Sequence, residues 1–170
     1  MGAAKKIVPT CQEIELLVAN LWGWRKNLIV PNISWGAGLH ECDLLILTAS
    51  NWATEVEIKV SRADLKKDAG KEHGHVSDRI KFLYFAIPDH LLDCIEFIPD
   101  RAGIILITAR DMQHPELGFR ASLHRQAQAN PTAKKWTDMQ RINMGRLGCM
   151  RIWTLKKTVI DHKRNTSGND

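Results

Sequence analysis

Ala53-Thr54-Glu55-Val56-Glu57-Ile58-Lys59-Val60-Ser61 is the stretch on which the reading of this chain turns. It alternates polar and apolar residues, the period of a strand, so Glu55, Glu57 and Lys59 share one face and Val56, Ile58 and Val60 the other. Charged side chains in a row on an otherwise apolar strand are costly unless water, a metal or a partner satisfies them. Upstream, Glu41 and Asp43 precede the apolar run Leu44-Leu45-Ile46-Leu47. The link between the two runs, Thr48 to Asn51, is too short for a crossover, so the strands are expected to pair as an antiparallel hairpin that brings Asp43 level with Glu57.

The chain has 170 residues, 44% hydrophobic and 25% charged. That is the composition of an ordinary globular protein, and the length suits one domain. No apolar run reaches the roughly 18 residues that a membrane-spanning helix needs, and no apolar signal core follows the basic Met1–Lys6. The four cysteines, Cys11, Cys42, Cys94 and Cys149, are scattered without a CxxC spacing and read as buried free thiols of a cytoplasmic protein. The net charge of +5 is unevenly spread: residues 1–119 hold 13 Lys/Arg against 16 Asp/Glu, and residues 120–170 hold 11 against 3. A basic C-terminal third beside a mildly acidic remainder suits a polyanion partner and a separate acidic site, or a solvated helix face.

Outward from the hairpin, Thr10 is an N-cap for a helix running to about Trp24, with Ile14, Leu17, Val18 and Leu21 on its core side. Asn27–Trp35 reads as a strand in which Pro31 argues for an edge or a bulge. Ser61 caps a polar helix reaching Lys71, with Asp64 at its third position. Ile80–Ile87 is an apolar run expected of a strand buried on both faces, Asp89–Phe97 a short helix, and Ile104–Thr108 another buried strand. Leu117–Gln126 reads as an added edge strand and Lys134–Lys157 as a long helix, with a disordered tail from Lys163. The order predicts an α/β fold with a central mixed sheet flanked by helices, in a single domain over residues 1–162.

Two carboxylates and a lysine at this spacing suit phosphodiester hydrolysis, which requires stabilising a crowded anionic transition state and supplying a nucleophile. Asp43 and Glu57 can hold magnesium, the Ile58 carbonyl can add an oxygen, and Lys59 can orient or help deprotonate a water. Glu41 shares the face of Asp43. Glu55 is read as a solvent-facing bystander. His73 and His75 bracket Gly74 with no third or fourth zinc ligand at a helpful spacing, so they read as surface or as a loop touching nucleic acid. Arg62, Lys66, Lys67 and Lys71 on the helix after the site, and Arg120, Arg125, Lys134, Lys135, Arg141, Arg146 and Arg151 further on, could grip phosphates; an exposed helix face explains the first group as well.

Asp43, then Glu57-x-Lys59, after an acid-bearing first helix, resembles the PD-(D/E)xK nuclease superfamily. EVEIKVSRADLKKDAGK, LYFAIP and IPDRAGIILIT look similar to one branch of it, the MmcB-type DNA-repair proteins and related phage and bacterial proteins. Ser61, Asp64, Asp68, Lys71, Phe85, Pro88 and Gly103 match that branch position by position. The resemblance covers about residues 10–110; the basic extension at about 117–160 lies outside it. It implies a restriction-endonuclease-like core, a Mg²⁺ or Mn²⁺ ion, DNA as substrate, and a possible homodimer built on the C-terminal helix. It also implies a metal-binding acid from the first helix, Glu13 or alternatively Glu15. Cys42 stands where the name-giving motif has proline. The competing expectations are a non-cleaving nucleic-acid-binding protein on the same fold, and an interaction protein whose acidic cluster is incidental.

Overall fold

The computed structural model describes residues 8–33, 39–70, 75–110 and 118–167. Helix α1 (Cys11–Trp22) begins at Thr10, whose hydroxyl accepts from the Glu13 N–H while the Glu13 carboxylate reaches back to the Thr10 backbone, a reciprocal cap that satisfies two orphan donors. It stops at Gly23, which takes the left-handed conformation (φ 71°) that ends helices and suits glycine. Strands β1 (Leu28–Ile33), β2 (Cys42–Leu47), β3 (Ala53–Ile58), β4 (Phe82–Pro88), β5 (Gly103–Ala109) and β6 (Phe119–Arg125) form one six-stranded sheet in sequential order. The pairs β1–β2, β2–β3 and β5–β6 are antiparallel, while β3–β4 and β4–β5 are parallel. Helix α2 (Arg62–Ala69) and a 3₁₀-helix (Asp89–Phe97) make the two parallel crossovers.

The expected mixed sheet flanked by helices is therefore present. Pro31 lies on edge strand β1, and β4 and β5, which pair in parallel, carry near-continuous apolar runs. On one face Ile14 and Val18 of α1 pack over Leu44, Ile46, Val56, Ile58 and Ala86. On the other, Trp136 and Met144 cover Val30, Leu45, Leu47 and Ala53, while Leu65 and Leu91 cover Leu83, Phe85 and Ile104. The polar row of β3 lies on this second face, between its two apolar clusters. Gly103 is required where it stands, because a Cβ there would come within 2.3 Å of the Tyr84 ring.

Helix α3 (Asp138–Ser167) differs from the expected span at both ends. Its start is set by Thr137 and Gln140, which exchange backbone-to-side-chain hydrogen bonds of 2.9 and 3.2 Å. Its end lies beyond the tail expected from Lys163, because no glycine or proline interrupts residues 149–167. The first half packs on β1 through Met144, Leu147 and Gly148. Beyond Arg151 the helix leaves Ile152, Trp153, Leu155, Val159 and Ile160 exposed. Among the described residues no helix is long and apolar enough to cross a membrane. The Gly36–Gly38 turn, Lys71 and His73 lie outside the described residues.

Candidate functional site

The β2–β3 register pairs Leu44 with Val56 and Leu45 with Glu55, which carries Asp43 to the position opposite Glu57, as the hairpin required. Asp43 closes the ladder with its side chain: Oδ2 accepts the Ile58 N–H at 2.7 Å. Lys59 Nζ lies 2.7 Å from Glu57 Oε2, 2.9 Å from Asp68 Oδ1 and 4.0 Å from Asp43 Oδ2. One ammonium thus spans three carboxylates supplied by β2, β3 and α2. Burial pulls the Lys59 pKa down, but Glu57 and Asp68 outweigh it and hold the group above the ordinary lysine range. The lysine is charged and donates. Burial pushes the Glu57 carboxyl up, and the neighbouring charge of Asp43 adds to that push against the pull of Lys59.

The row continues inward as an alternation of charge. Asp68 Oδ2 meets His75 Nε2 at 2.7 Å, His75 Nδ1 meets Glu55 Oε1 at 2.7 Å, and Glu55 Oε1 meets His40 Nε2 at 2.8 Å. Burial draws the His75 pKa down, yet the bonds to Asp68 and Glu55 prevail and raise it to about 9. Burial alone would raise Glu55, but the bonds from His40 and His75 bring it below the ordinary value. Glu55, Glu57, Lys59, Asp68 and His75 are all buried. Two groups of three metal-capable ligand atoms lie within 4.8 Å of one another among the described residues: His40, Glu55 and His75, and Glu57, Asp68 and His75.

Several expectations are corrected here. Glu55 is not a solvent-facing bystander, for it is 0% exposed and bonded by two histidines. His75 is neither surface nor a free loop residue, since both ring nitrogens face buried carboxylates. The carboxylate of Glu13 is engaged by the backbone and hydroxyl of Thr10, which lower its pKa, so it belongs to the helix cap. Glu15 stands closer to the chemistry. Burial and the charge of Asp43 raise its pKa, Asn32 donates to it at 3.5 Å, and it lines a cleft of about 870 Å³ together with Asp43. Other walls of that cleft are Cys11 and Gln12 of α1, Pro31 and Asn32 of β1, and Arg151 and Leu155 of α3. Of the three motif residues, Asp43 alone lines it, with Glu57 and Lys59 behind. Glu41 is exposed just before β2.

The cations expected to grip phosphate do not form one face. Arg62, Lys66 and Lys67 are exposed on α2, where Arg62 pairs with Asp93 and Lys66 lies over the Phe97 ring. Arg141 donates to the Thr48 carbonyl at 2.7 Å and to Asn51, and Arg151 donates to the Asn32 carbonyl, so both tie α3 to the sheet. Arg125 donates to the carbonyls of Pro99 and Ala102, Arg120 to Thr108, and Lys134 pairs with Asp78. Arg146 is exposed.

Nothing in the sequence marks His40, Asp68 or His75 as site residues beyond the match of Asp68 to the branch pattern. His40 and His75 lie 35 positions apart and reach Glu55 from two different loops, so no local spacing marks them. No family model matches the chain, and no curated protein does. Among solved structures it is similar to the SPO1766 protein of unknown function from Silicibacter pomeroyi, with a TM-score of 0.60 and 19% identity over 94% of this chain and 96% of that one. That likeness shows a shared fold.

Proposed function

We propose that the chain is a metal-dependent nuclease acting on DNA, built on a restriction-endonuclease-like core. The observation that carries this reading is the convergence of Asp43, Glu57 and Lys59 across the β2–β3 hairpin, with the Lys59 ammonium 2.7 Å from one carboxylate and 4.0 Å from the other. In donor type the acids suit a hard divalent cation: Asp43 and Glu57, with Glu15 as the acid from α1 in place of Glu13, offer only oxygen. Glu15 and Glu57 are both held up in part by the charge of Asp43, a repulsion that a cation relieves. Magnesium or manganese, when bound, supplies charge to the scissile phosphate and lowers the pKa of a water. Asp43 is pre-oriented for this by the Ile58 amide. Lys59, being charged, orients the attacking water and offsets phosphate charge rather than taking a proton. Arg62, Lys66 and Lys67 of α2, and Arg146 of α3, are the exposed cations available to the backbone of a bound strand.

A second reading, a nucleic-acid-binding protein that does not cut, is favoured by one specific observation. Glu57 is 2% exposed and already neutralised, and of the three motif residues only Asp43 reaches the cleft. One experiment separates the two. Single-stranded, double-stranded, flapped and branched DNA are incubated with the protein and Mg²⁺ or Mn²⁺. Cleavage that stops with EDTA and is lost in Lys59→Ala supports the nuclease. Binding with no substrate cut supports the second reading, and cleavage that persists in Lys59→Ala overturns this assignment of the site.

A further inference from the structure

We propose that His40, Glu55 and His75 form a binding site for a borderline transition-metal dication of the zinc class, separate from the carboxylates at Asp43. The ligand atoms His40 Nε2, Glu55 Oε1 and His75 Nδ1 lie within 4.8 Å of one another. The two imidazoles meet edge to face with ring centroids 5.4 Å apart, so their nitrogens approach Glu55 from different directions. Two imidazoles and one carboxylate are a ligand set that zinc and its neighbours favour over magnesium, which prefers oxygen and its own waters.

Three further observations point to an ion. Glu55 is 0% exposed, yet its Oε2 meets no hydrogen-bond donor among the described residues. A fully buried carboxylate oxygen without a donor is costly, and a cation at this position satisfies it. His75 presents Nδ1 to the site while its Nε2 is bonded to Asp68 at 2.7 Å, the carboxylate contact that commonly fixes the ring of a metal-bound histidine. His75 is also held in the left-handed backbone region (φ 56°), with its carbonyl accepting from Arg101 at 3.0 Å, so the ring is placed from both ends. His40, with a side chain 13% exposed, is the open side, where water can complete the coordination.

The neighbouring group Glu57, Asp68 and His75 is the poorer site. Lys59 Nζ already spans its two carboxylates, 2.7 Å from Glu57 and 2.9 Å from Asp68, and the second Asp68 oxygen is bonded to His75 Nε2 at 2.7 Å. The His40 site lies one strand repeat further in, about 7 Å along β3. An ion held there ties the segment before β2 to the segment after α2 through the central sheet.

The test is titration of chelator-treated protein with Zn²⁺ by calorimetry and with Co²⁺ by visible absorption. Wild type is compared with His40→Ala and with His40→Gln, which keeps a hydrogen bond to Glu55 and so separates ligand loss from misfolding. The expected result is one ion per chain, a Co²⁺ band in the visible, and affinity at least about tenfold weaker in both variants with unchanged far-UV circular dichroism. Absence of a stoichiometric ion in wild type overturns the proposal, as does equal affinity in a folded His40 variant, which would place the ion on other histidines. DNA cleavage is not the readout, so the outcome stands apart from the nuclease reading.

Discussion

Glu55 and Asp43 point to the same side of adjacent strands, yet their carboxylates meet opposite surroundings. Glu55 is enclosed, 0% exposed, and bonded by two histidines carried on loops. Asp43 has a side chain 38% exposed, a single amide donor from Ile58, and a cleft in front of it. Between them Glu57, Lys59, Asp68 and His75 alternate in sign, so the inner end of the row is paired within the chain and the outer end faces the cleft. Taking so many charges out of water costs several kcal/mol per ion, and apolar residues packed between the two clusters of that face would avoid the cost. The contrast separates two settings that the sequence pattern cannot distinguish: the inner acid is enclosed by the chain, and the outer acid faces the cleft, where the proposed cleavage would use it.

The largest expected effect lies at the inner end. His75→Ala leaves Glu55 and Asp68 as buried carboxylates without their shared cation, and the expected loss is about 3–5 kcal/mol of unfolding free energy, read from urea denaturation. A loss under about 1 kcal/mol would show that water enters the row and that the two ends are alike. At the outer end the expected effect moves from stability to activity. Asp43→Asn keeps an oxygen for the Ile58 amide but removes the charge, so stability should change by less than about 1 kcal/mol while cleavage falls by about 10²–10³-fold. Melting temperature and initial cleavage rate on the same preparation check both halves.

How much of this was legible depends on whether the signal was local. The hairpin register, and with it the Asp43–Glu57 pair, followed from alternation and a four-residue link. The caps at Thr10 and Ser61 followed from residue type and position. Glu55 was misread because alternation assigns a face without saying whether that face is covered. Its cover comes from His40 and His75, which reach it across 15 and 20 positions of chain. Asp68 sits four residues after Asp64 on a polar helix, where surface pairing is the usual reading. Only the β3–β4–α2 packing turns it toward Lys59. The far end of α3 carries no local stop signal, since no glycine or proline interrupts residues 149–167, while Gly148 inside it lets the helix lie close against Val30.

A pH series sharpens the inner half of the comparison. In the metal-free protein the folded-state pKa of His75, about 9, lies above its ordinary 6.5, so its contribution is fully present below pH 6.5 and fades as pH rises through 9. Glu55 is shifted the other way, so its contribution is present above 4.5 and is lost as pH falls below it. The stability difference between wild type and His75→Gln should therefore be widest between about pH 4.5 and 6.5 and close on the alkaline side. A difference that stays level from pH 6 to pH 10 would mean that His75 is neutral in the folded protein.

The smallest expected effects decide which acid of α1 belongs to the outer end. Glu13 and Glu15 are two residues apart, and a helix turns them to different sides. Glu13 closes the cap with Thr10, whereas Glu15 lines the cleft beside Asp43. Glutamine serves a capping box as well as glutamate does, so Glu13→Gln should leave both melting temperature and cleavage where they are. Thr10→Ala, which removes the cap oxygen, should cost about 1 kcal/mol without slowing cleavage. Glu15→Gln should do the converse, lowering cleavage about tenfold at limiting Mg²⁺ with stability nearly unchanged, since its partner Asn32 can still bond the amide. If Glu13→Gln slowed cleavage and Glu15→Gln did not, the cap would have to open when substrate binds, and the boundary between the structural and the reactive acids would move to the first turn of α1.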